Sequence, residues 1–331
     1  MTQVLELDPA HPQQDAIKRA ASIIRDGGLV AFPTETVYGL GADAMNENAV
    51  QKIFEAKGRP SDNPCIVHVA SRAMLDHVTT GINARAELLI QKFWPGPLTL
   101  VLGRKPRVPS SVSAGLPTIA VRMPNNRIAL ELIKAADVPI AAPSANSSGR
   151  PSPTAAKHVL EDLSGRVDLI LNGGDTKIGI ESTVLDITVD PAVILRPGWI
   201  THEMLRSVIG EVGDSASDED LRRSPGTRHR HYSPRARVLL VEYGLSQQLE
   251  KLCVEHLTRG SVGFIGHSRL SINNGSFYPI YLEANADNYA HSIYSALREI
   301  DSKDPEIIVV EGINDEGVGA SVMDRLRRAA S

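Results

Sequence analysis

The chain has 331 residues, 42% of them hydrophobic, with a formal net charge of -4. That length exceeds a typical single domain and predicts two, and the near-neutral balance argues against nucleic-acid binding through bulk charge while leaving room for a local basic patch. Residues 1–210 are balanced in charge, and the acidic excess falls after them. Cys65 and Cys253 are the only cysteines and lie too far apart for a metal or redox spacing, so Cys65, in an apolar run, reads as core. The N-terminus lacks a basic stretch followed by an apolar one, and no apolar run is long enough to span a bilayer. A soluble, cytoplasmic protein with no membrane partner is expected.

Asp15 to Asp26 sets Ala16, Ile17, Ala20, Ala21, Ile23 and Ile24 at helical spacing with Gly27-Gly28 as the stop, predicting an amphipathic helix that feeds a short buried strand from Leu29 to Phe32. Pro33 has no backbone donor to give a central strand, so the chain leaves the sheet there. Thr34, Glu35, Thr36 and Tyr38 then crowd the strand exit, and Gly39 and Gly41 permit a sharp turn or a close ligand. A polar edge strand would use Thr and Tyr in the same way. A helix from Asn46 to Lys57, with Val50, Ile53 and Phe54 inward, ends in the loop Lys57-Gly58-Arg59-Pro60-Ser61-Asp62-Asn63-Pro64. Two cations around a glycine, held by prolines, suit an anion.

Cys65 to Val69 is a strand interrupted by His68, which is either a satisfied core histidine or a pocket residue. Ala84 to Phe93 reads as a helix, Trp94-Pro95-Gly96-Pro97 as a structural turn, and Leu98 to Leu102 as the next strand. Thr118 to Pro124 is a buried strand that closes on Arg122. A guanidinium there needs a carboxylate or a phosphate, supplied by an internal ion pair or by a ligand. Pro139 to Gly149 repeats the earlier pattern: small apolar residues including Ala142, a proline, then Ser144 and Asn146.

A helix is expected from Arg150 through Leu163, with Ser152 or Thr154 as a candidate N-cap. Ser182 opens the strand Glu181 to Asp186, and Arg196 closes the strand before Pro197. After a helix from Thr201 to Ile209, Glu211 to Ser224 is polar and acidic and reads as a linker. Arg222-Arg223 and the run Pro225 to Arg235 concentrate basic and aromatic side chains, which fits a solvated linker or RNA contact. Beyond Arg237, apolar runs at Val238–Val241, Ser261–Ile265, Pro279–Leu282 and Ile307–Val310 alternate with helical stretches. They predict a small parallel sheet with crossover helices and, lacking a Gly-x-Gly-x-x-Gly loop, no nucleotide site of its own.

The run Phe32-Pro33-Thr34-Glu35-Thr36-Val37-Tyr38-Gly39-Leu40-Gly41, then Lys57-x-Arg59-Pro60, then Pro143-Ser144-Ala145-Asn146 resembles the threonylcarbamoyl-AMP synthases of the Sua5/YrdC family, over most of the chain. The resemblance implies a YrdC-like twisted mixed-sheet α/β domain over 1–210, a linker or lid over 211–236, and over 237–331 the smaller Rossmann-like α/β domain of the long Sua5 type. It implies a nucleotidyltransferase that makes threonylcarbamoyl-AMP and pyrophosphate from L-threonine, bicarbonate or CO2, and ATP. The product would supply the threonylcarbamoyl group of t6A in tRNA through other proteins; direct tRNA contact is compatible but not required.

With no Walker A loop, Ser nucleophile elbow or metal-ligand cluster in the sequence, side chains must hold the nucleotide. In this resemblance Lys57 and Arg59 are the catalytic candidates. ATP falls to them together with Asn63, Thr118, Ser144, Asn146, Ser152, Arg196 and Tyr232, the last in a lid motif that keeps Pro225, Gly226, His231, Tyr232 and Pro234. L-Threonine falls to Thr36, His68, Arg122, Ala142 and Ser182. Mg2+ would arrive on the ATP phosphates, with no protein metal site expected. Cys65, Gly58 and Thr227-Arg228-His229-Arg230 depart from the family pattern. The alternatives are a double-stranded RNA-binding module without turnover, and the ATP-dependent carbamoyl transfer of hydrogenase-maturation relatives, whose acylphosphatase and zinc-finger segments are missing here.

Overall fold

The computed structural model describes residues 1–214 and 232–331. The chain runs Gln3–Glu6 (β1), Gln14–Arg25 (α1), Val30–Phe32 (β2), Gly39–Asp43 (β3), Glu47–Lys57 (α2), Ile66–His68 (β4), Arg72–Val78 (α3), Thr79–Thr80 (β5) and Ala84–Phe93 (α4). It continues with Leu98–Arg104 (β6), Thr118–Arg122 (β7), Arg127–Ala136 (α5), Ile140–Ala141 (β8), Ala156–Leu163 (α6), Leu169–Asn172 (β9), Thr183–Asp186 (β10), Ala192–Arg196 (β11), His202–Ile209 (α7) and Val212–Asp214 (β12). These strands form one mixed sheet in the order β1-β9-β2-β3-β8-β4-β7-β6-β10-β11-β12, with β5 against β6.

The helices form where apolar residues recur at helical spacing, and side-chain caps start several of them. In α1, Ile17, Ala20, Ala21 and Ile24 share one buried face and pack with Ile128, Ala129, Leu132, Ile133 and Ala136 of α5 in one cluster. The Asn46 and Asn126 side chains accept from the backbone N–H three residues on and so start α2 and α5. Val50, Ile53 and Phe54 of α2, Leu89 of α4 and Val159 of α6 pack with Val67, Leu100 and Val121 in the larger core. Truncating a fully buried residue such as Ile53 to Ala would cost about 2–5 kcal/mol.

Two expectations are corrected here. α6 starts at Ala156 with Ala155 as an N-cap that makes no side-chain bond, so neither Ser152 nor Thr154 caps it. Instead the Thr154 backbone N–H donates to Nδ1 of His158 at 3.3 Å, one turn into the helix. Secondly, where polar composition reads as linker from Glu211, Val212–Asp214 adds a further strand parallel to β11. The rest of that segment, with the basic run from Arg222 to His231, lies outside the described residues.

The described residues divide into two units. The first comprises Met1–Ser148, Pro153–Lys177 and 181–214; the second comprises Gly149–Ser152, Ile178–Ile180 and 232–331. In the second, Arg237–Val241 (β13), Val262–Gly266 (β14), Phe277–Tyr281 (β15) and Ile307–Glu311 (β16) make an all-parallel sheet in the order β13-β16-β14-β15. Leu249–Leu257 (α8), Ala286–Asp301 (α9) and Val318–Ala330 (α10) are its helices. The expected α/β class, a large mixed-sheet domain followed by a smaller parallel one, is what the chain adopts.

Candidate active site

Pro33 ends β2 as its missing donor requires, and the Thr34–Tyr38 loop that follows is stiffened by one hydroxyl. Thr34 Oγ1 accepts from the Thr36 and Val37 N–H groups at 3.2 and 3.3 Å and donates to the Val37 carbonyl at 2.6 Å. Its single proton being used, the 2.9 Å contact with Thr36 Oγ1 must be a bond that Thr36 donates. Arg122 Nη1 donates to Thr36 Oγ1 in turn, at 2.9 Å, and its Nε donates to the Gly96 carbonyl at 3.1 Å.

The third corner of the guanidinium meets a carboxylate. Arg122 Nη2 lies 2.5 Å from Glu35 Oε2, with both side chains buried. The contact is one of charge without hydrogen-bond alignment: neither Glu35 oxygen, nor Arg122 Nη2, nor His68 Nδ1 has a hydrogen-bond partner among the described residues. Buried polar atoms left so are uncommon, and each marks a place where a further polar group is wanted. His68 sits edge-on to Phe32, ring centroids 6.2 Å apart. Burial, and then the charge of Arg122, push its pKa down to about 3, so the imidazole is neutral at pH 7.

The cationic loop is shaped by Gly58, which takes the left-handed conformation (φ 60°) at the end of α2 and donates to the Glu55 and Phe54 carbonyls. A side chain there would be strained, which accounts for a glycine between the two cations. The turn folds Arg59 back so that Nε donates to the Asn63 carbonyl at 3.2 Å and Nη2 to the Pro64 carbonyl at 2.8 Å. Lys57 Nζ donates to the Ser144 and Asn146 carbonyls, both at 2.5 Å, and Ser144 Oγ donates to Asn146 Oδ1 at 2.5 Å. That loop is stitched to the first one: Ala145 N–H donates to the Tyr38 carbonyl at 2.8 Å, and Gly39 bridges Ser144. Ala142 is buried, and its N–H donates to the Ile66 carbonyl at 2.8 Å.

A third group forms around Ser182, just before β10. Arg196 Nη2 donates to the Ser182 carbonyl and hydroxyl at 3.0 and 3.2 Å, and Ser182 Oγ lies 2.7 Å from Thr99 Oγ1.

Strand register orders these groups. His68 stands opposite Arg122, Leu100 opposite Val121, Val184 opposite both Thr99 and Arg196. Continuing the β6–β7 register by one residue sets Thr99 beside Arg122. A row of polar groups therefore crosses β4, β7, β6 and the β10–β11 edge. At the other end of the same strands, Thr118 opens β7 opposite Gly103 of β6. On the β4 side the chain leaves the ladder before Ile66, Cys65 N–H donating to the Val112 carbonyl at 2.9 Å, and Arg59 is held by the Pro64 carbonyl just before it. The four steps from Thr118 to Arg122 separate those ends by about 13 Å. Between them, on the face that alternation shares with His68 and Arg122, lies a small apolar cluster of Ile66, Val101, Ala120, Val184 and Leu195. The structure thus assembles Thr36, His68, Arg122, Ser182 and Arg196 along one row, groups Lys57 with Ser144 and Asn146, and sets Arg59, Asn63 and Thr118 at the opposite strand end.

Ser152 and Tyr232 belong to the second unit. Ser152 is buried, and Tyr232, with φ 65°, stacks on Tyr294 at 5.5 Å with Arg325 5.5 Å from its ring. Two participants carry no assignment in the sequence. Thr99 hides as one hydroxyl in an apolar strand, and Glu35, though inside the first motif, shows its partner only once β7 is placed beside its loop.

The first domain model that the chain matches is described as telomere recombination, over residues 22–198, and the second is the threonylcarbamoyl-AMP synthase C-terminal domain, over residues 200–331. Threonylcarbamoyl-AMP synthase of Pyrococcus abyssi is 46% identical over 322 residues, covering 95% of this chain and 94% of the relative. The chain belongs to the threonylcarbamoyl-AMP synthase family, Sua5 type. This is an enzyme family of the nucleotidyltransferase class. The synthase of Bacillus subtilis is 45% identical over 334 residues, covering 98% of this chain and 95% of that one. The crystal structure of P. abyssi Sua5 complexed with L-threonine superposes with a TM-score of 0.94 at 44% identity, over 99% of this chain and 98% of that one. Among the described residues no helix is long and apolar enough to cross a membrane.

Proposed function

We propose that this synthase-family protein joins L-threonine, bicarbonate and ATP into threonylcarbamoyl-AMP and pyrophosphate, for transfer to tRNA as t6A by other proteins. The observation that carries the reading is the pair of polar ends on one sheet face, about 13 Å apart. One end offers a guanidinium, hydroxyls and a neutral imidazole suited to a small amino acid. The other offers Arg59, Asn63 and Thr118, suited to a nucleotide.

The threonine amine, its ammonium deprotonated to solvent, attacks the carbon of CO2 with loss of a further proton, or of bicarbonate with loss of water, and the resulting carbamate oxygen attacks the α-phosphorus as pyrophosphate leaves. Such a reaction asks for positioning and charge neutralisation more than for a covalent nucleophile. In this reading Arg122, Thr36 and Ser182 hold the amino acid, and the Ala142 carbonyl is one of its acceptors. Neutral His68 accepts a hydrogen bond from the substrate hydroxyl or ammonium. Arg59 and Arg196 neutralise phosphate charge, with Asn63 and Thr118 on the nucleotide. Lys57 acts both by charge and by fixing Ser144 and Asn146. The carbamate is unstable in water, so a closed, dry pocket is expected around it. Among the described residues no cluster of three or more His, Cys, Asp or Glu could hold a metal ion. The donors here are cationic and match phosphate, so Mg2+ would be held through ATP oxygens and supply further charge neutralisation.

Pyrophosphate release tests this directly. It should require both threonine and bicarbonate, and fall at least about 100-fold in Lys57→Ala and in Arg59→Ala. Full turnover in both variants would overturn the phosphate assignment, and release without threonine would overturn the reaction.

A further inference from the structure

The Glu35–Arg122 contact is a poor structural ion pair. Its two members are 5% and 3% exposed, yet three of the atoms that face each other make no hydrogen bond. A buried pair contributes to stability only when further hydrogen bonds satisfy both partners; an incompletely satisfied one is held at a cost. The neighbours are half-saturated in the same way: Thr36 spends its proton on Thr34 and accepts from Arg122, while His68 keeps Nδ1 unpartnered one strand away.

We propose that this pair is a template for the zwitterion of an α-amino acid, with Glu35 as the residue that takes its ammonium. An incoming α-carboxylate needs the Arg122 corner that Glu35 covers, and a carboxylate competes for it on equal terms. An amino acid brings an ammonium only two bonds from that carboxylate, so as its carboxylate takes Arg122 its ammonium meets the glutamate set free beside it. One misaligned internal pair is exchanged for two aligned ones. A carboxylic acid without the amine leaves Glu35 buried and uncompensated, and an amine without the carboxylate leaves Arg122 so; both carry the penalty of an unpaired buried charge. Glu35 is thereby a specificity residue for amino acids as zwitterions. This inference rests on the threonine reading above and adds to it a residue to which that reading assigns no role.

The test compares L-threonine with 3-hydroxybutanoate, the same molecule lacking the amine, by calorimetry on the full chain and on the isosteric Glu35→Gln variant. Wild-type protein should bind threonine at least tenfold more tightly than 3-hydroxybutanoate. In Glu35→Gln threonine should weaken at least tenfold while 3-hydroxybutanoate binds as well or better, because the competitor for Arg122 is gone. A merely structural Glu35 would weaken both ligands alike. Equal loss of both, or no change in either, overturns the inference even if the variant melts as the wild type does. So does a wild-type protein that binds both ligands equally, a result that needs no variant. A wild-type protein that binds neither overturns the threonine reading itself.

Discussion

Each unit buries a glutamate at or just past the carboxyl end of a strand, and the two are treated oppositely. In the second unit, Glu311 closes β16 and is saturated. Oε2 accepts from the His267 and Ser268 N–H groups at 2.8 and 2.7 Å, Oε1 accepts from Ser268 Oγ at 2.5 Å, and His267 Nδ1 lies 2.9 Å from the Tyr289 hydroxyl. A Cβ on Gly266 would come 2.6 Å from that carboxylate, so the backbone itself is cut to fit. In the first unit, Glu35 has charge beside it and no hydrogen bond. Polar residues gathered at strand ends therefore do not by themselves mark a site; a buried charge left without hydrogen bonds is the better pointer, because it has most to gain from a ligand.

Breaking each glutamate's surroundings should separate the two roles. The largest effect is expected from Arg122→Ala, which strands Glu35 as a buried unpaired charge: about 3–5 kcal/mol of stability lost in a denaturant titration, together with threonine binding. Next, L-threonine at about 100 times its Kd should add about 2.7 kcal/mol to the wild-type unfolding free energy. It should add nothing detectable to Arg122→Ala, and an equal gain in both proteins would remove Arg122 from the site. Glu311→Gln should behave the other way round. It should lower stability by about 1–3 kcal/mol, one carboxylate's worth of hydrogen bonds, while pyrophosphate release with threonine, bicarbonate and ATP stays within threefold of wild type.

The effect that is smallest at neutral pH concerns His68 and emerges only on acidification. Unfolded, its imidazole takes a proton near pH 6.5; folded, it resists down to about pH 3. The unfolded chain binds more protons in that window, so stability falls as pH is lowered through it, by up to about 1.4 kcal/mol per unit. His68→Asn should flatten this part of the stability curve, and an unchanged slope would show that another group sets it.

Much of the fold was legible because helical spacing and caps coincide, as in α2 and α4, and because β13 to β16 are plain apolar runs. Gly39–Asp43 reads as a turn, since its glycines signal conformational freedom; it is a strand because β2 and β8 bind it on both sides. β1 and β9 pair with each other across more than 160 residues and show no local pattern strong enough to announce it. α5 is a different case: Asn126 as cap and the apolar spacing of Ile128, Ala129, Leu132 and Ile133 do mark it in the sequence. Within the site, motifs give residue types but not partners. Arg122 leaves an internal carboxylate and a ligand equally open in the sequence, and the fold supplies Glu35 at 2.5 Å. Lys57, in turn, is seen to hold two carbonyls as well as to carry charge.

The most direct measurement is a crystal structure with L-threonine and a non-hydrolysable ATP analogue together. The account predicts the amino-acid carboxylate on Arg122, with Glu35 turned to the ammonium, and the nucleotide at the Arg59, Asn63 and Thr118 end. The apolar face of Ile66 and Ala120 should lie between them. Either ligand bound away from that sheet face, or Glu35 still against Arg122 with threonine in place, would contradict it.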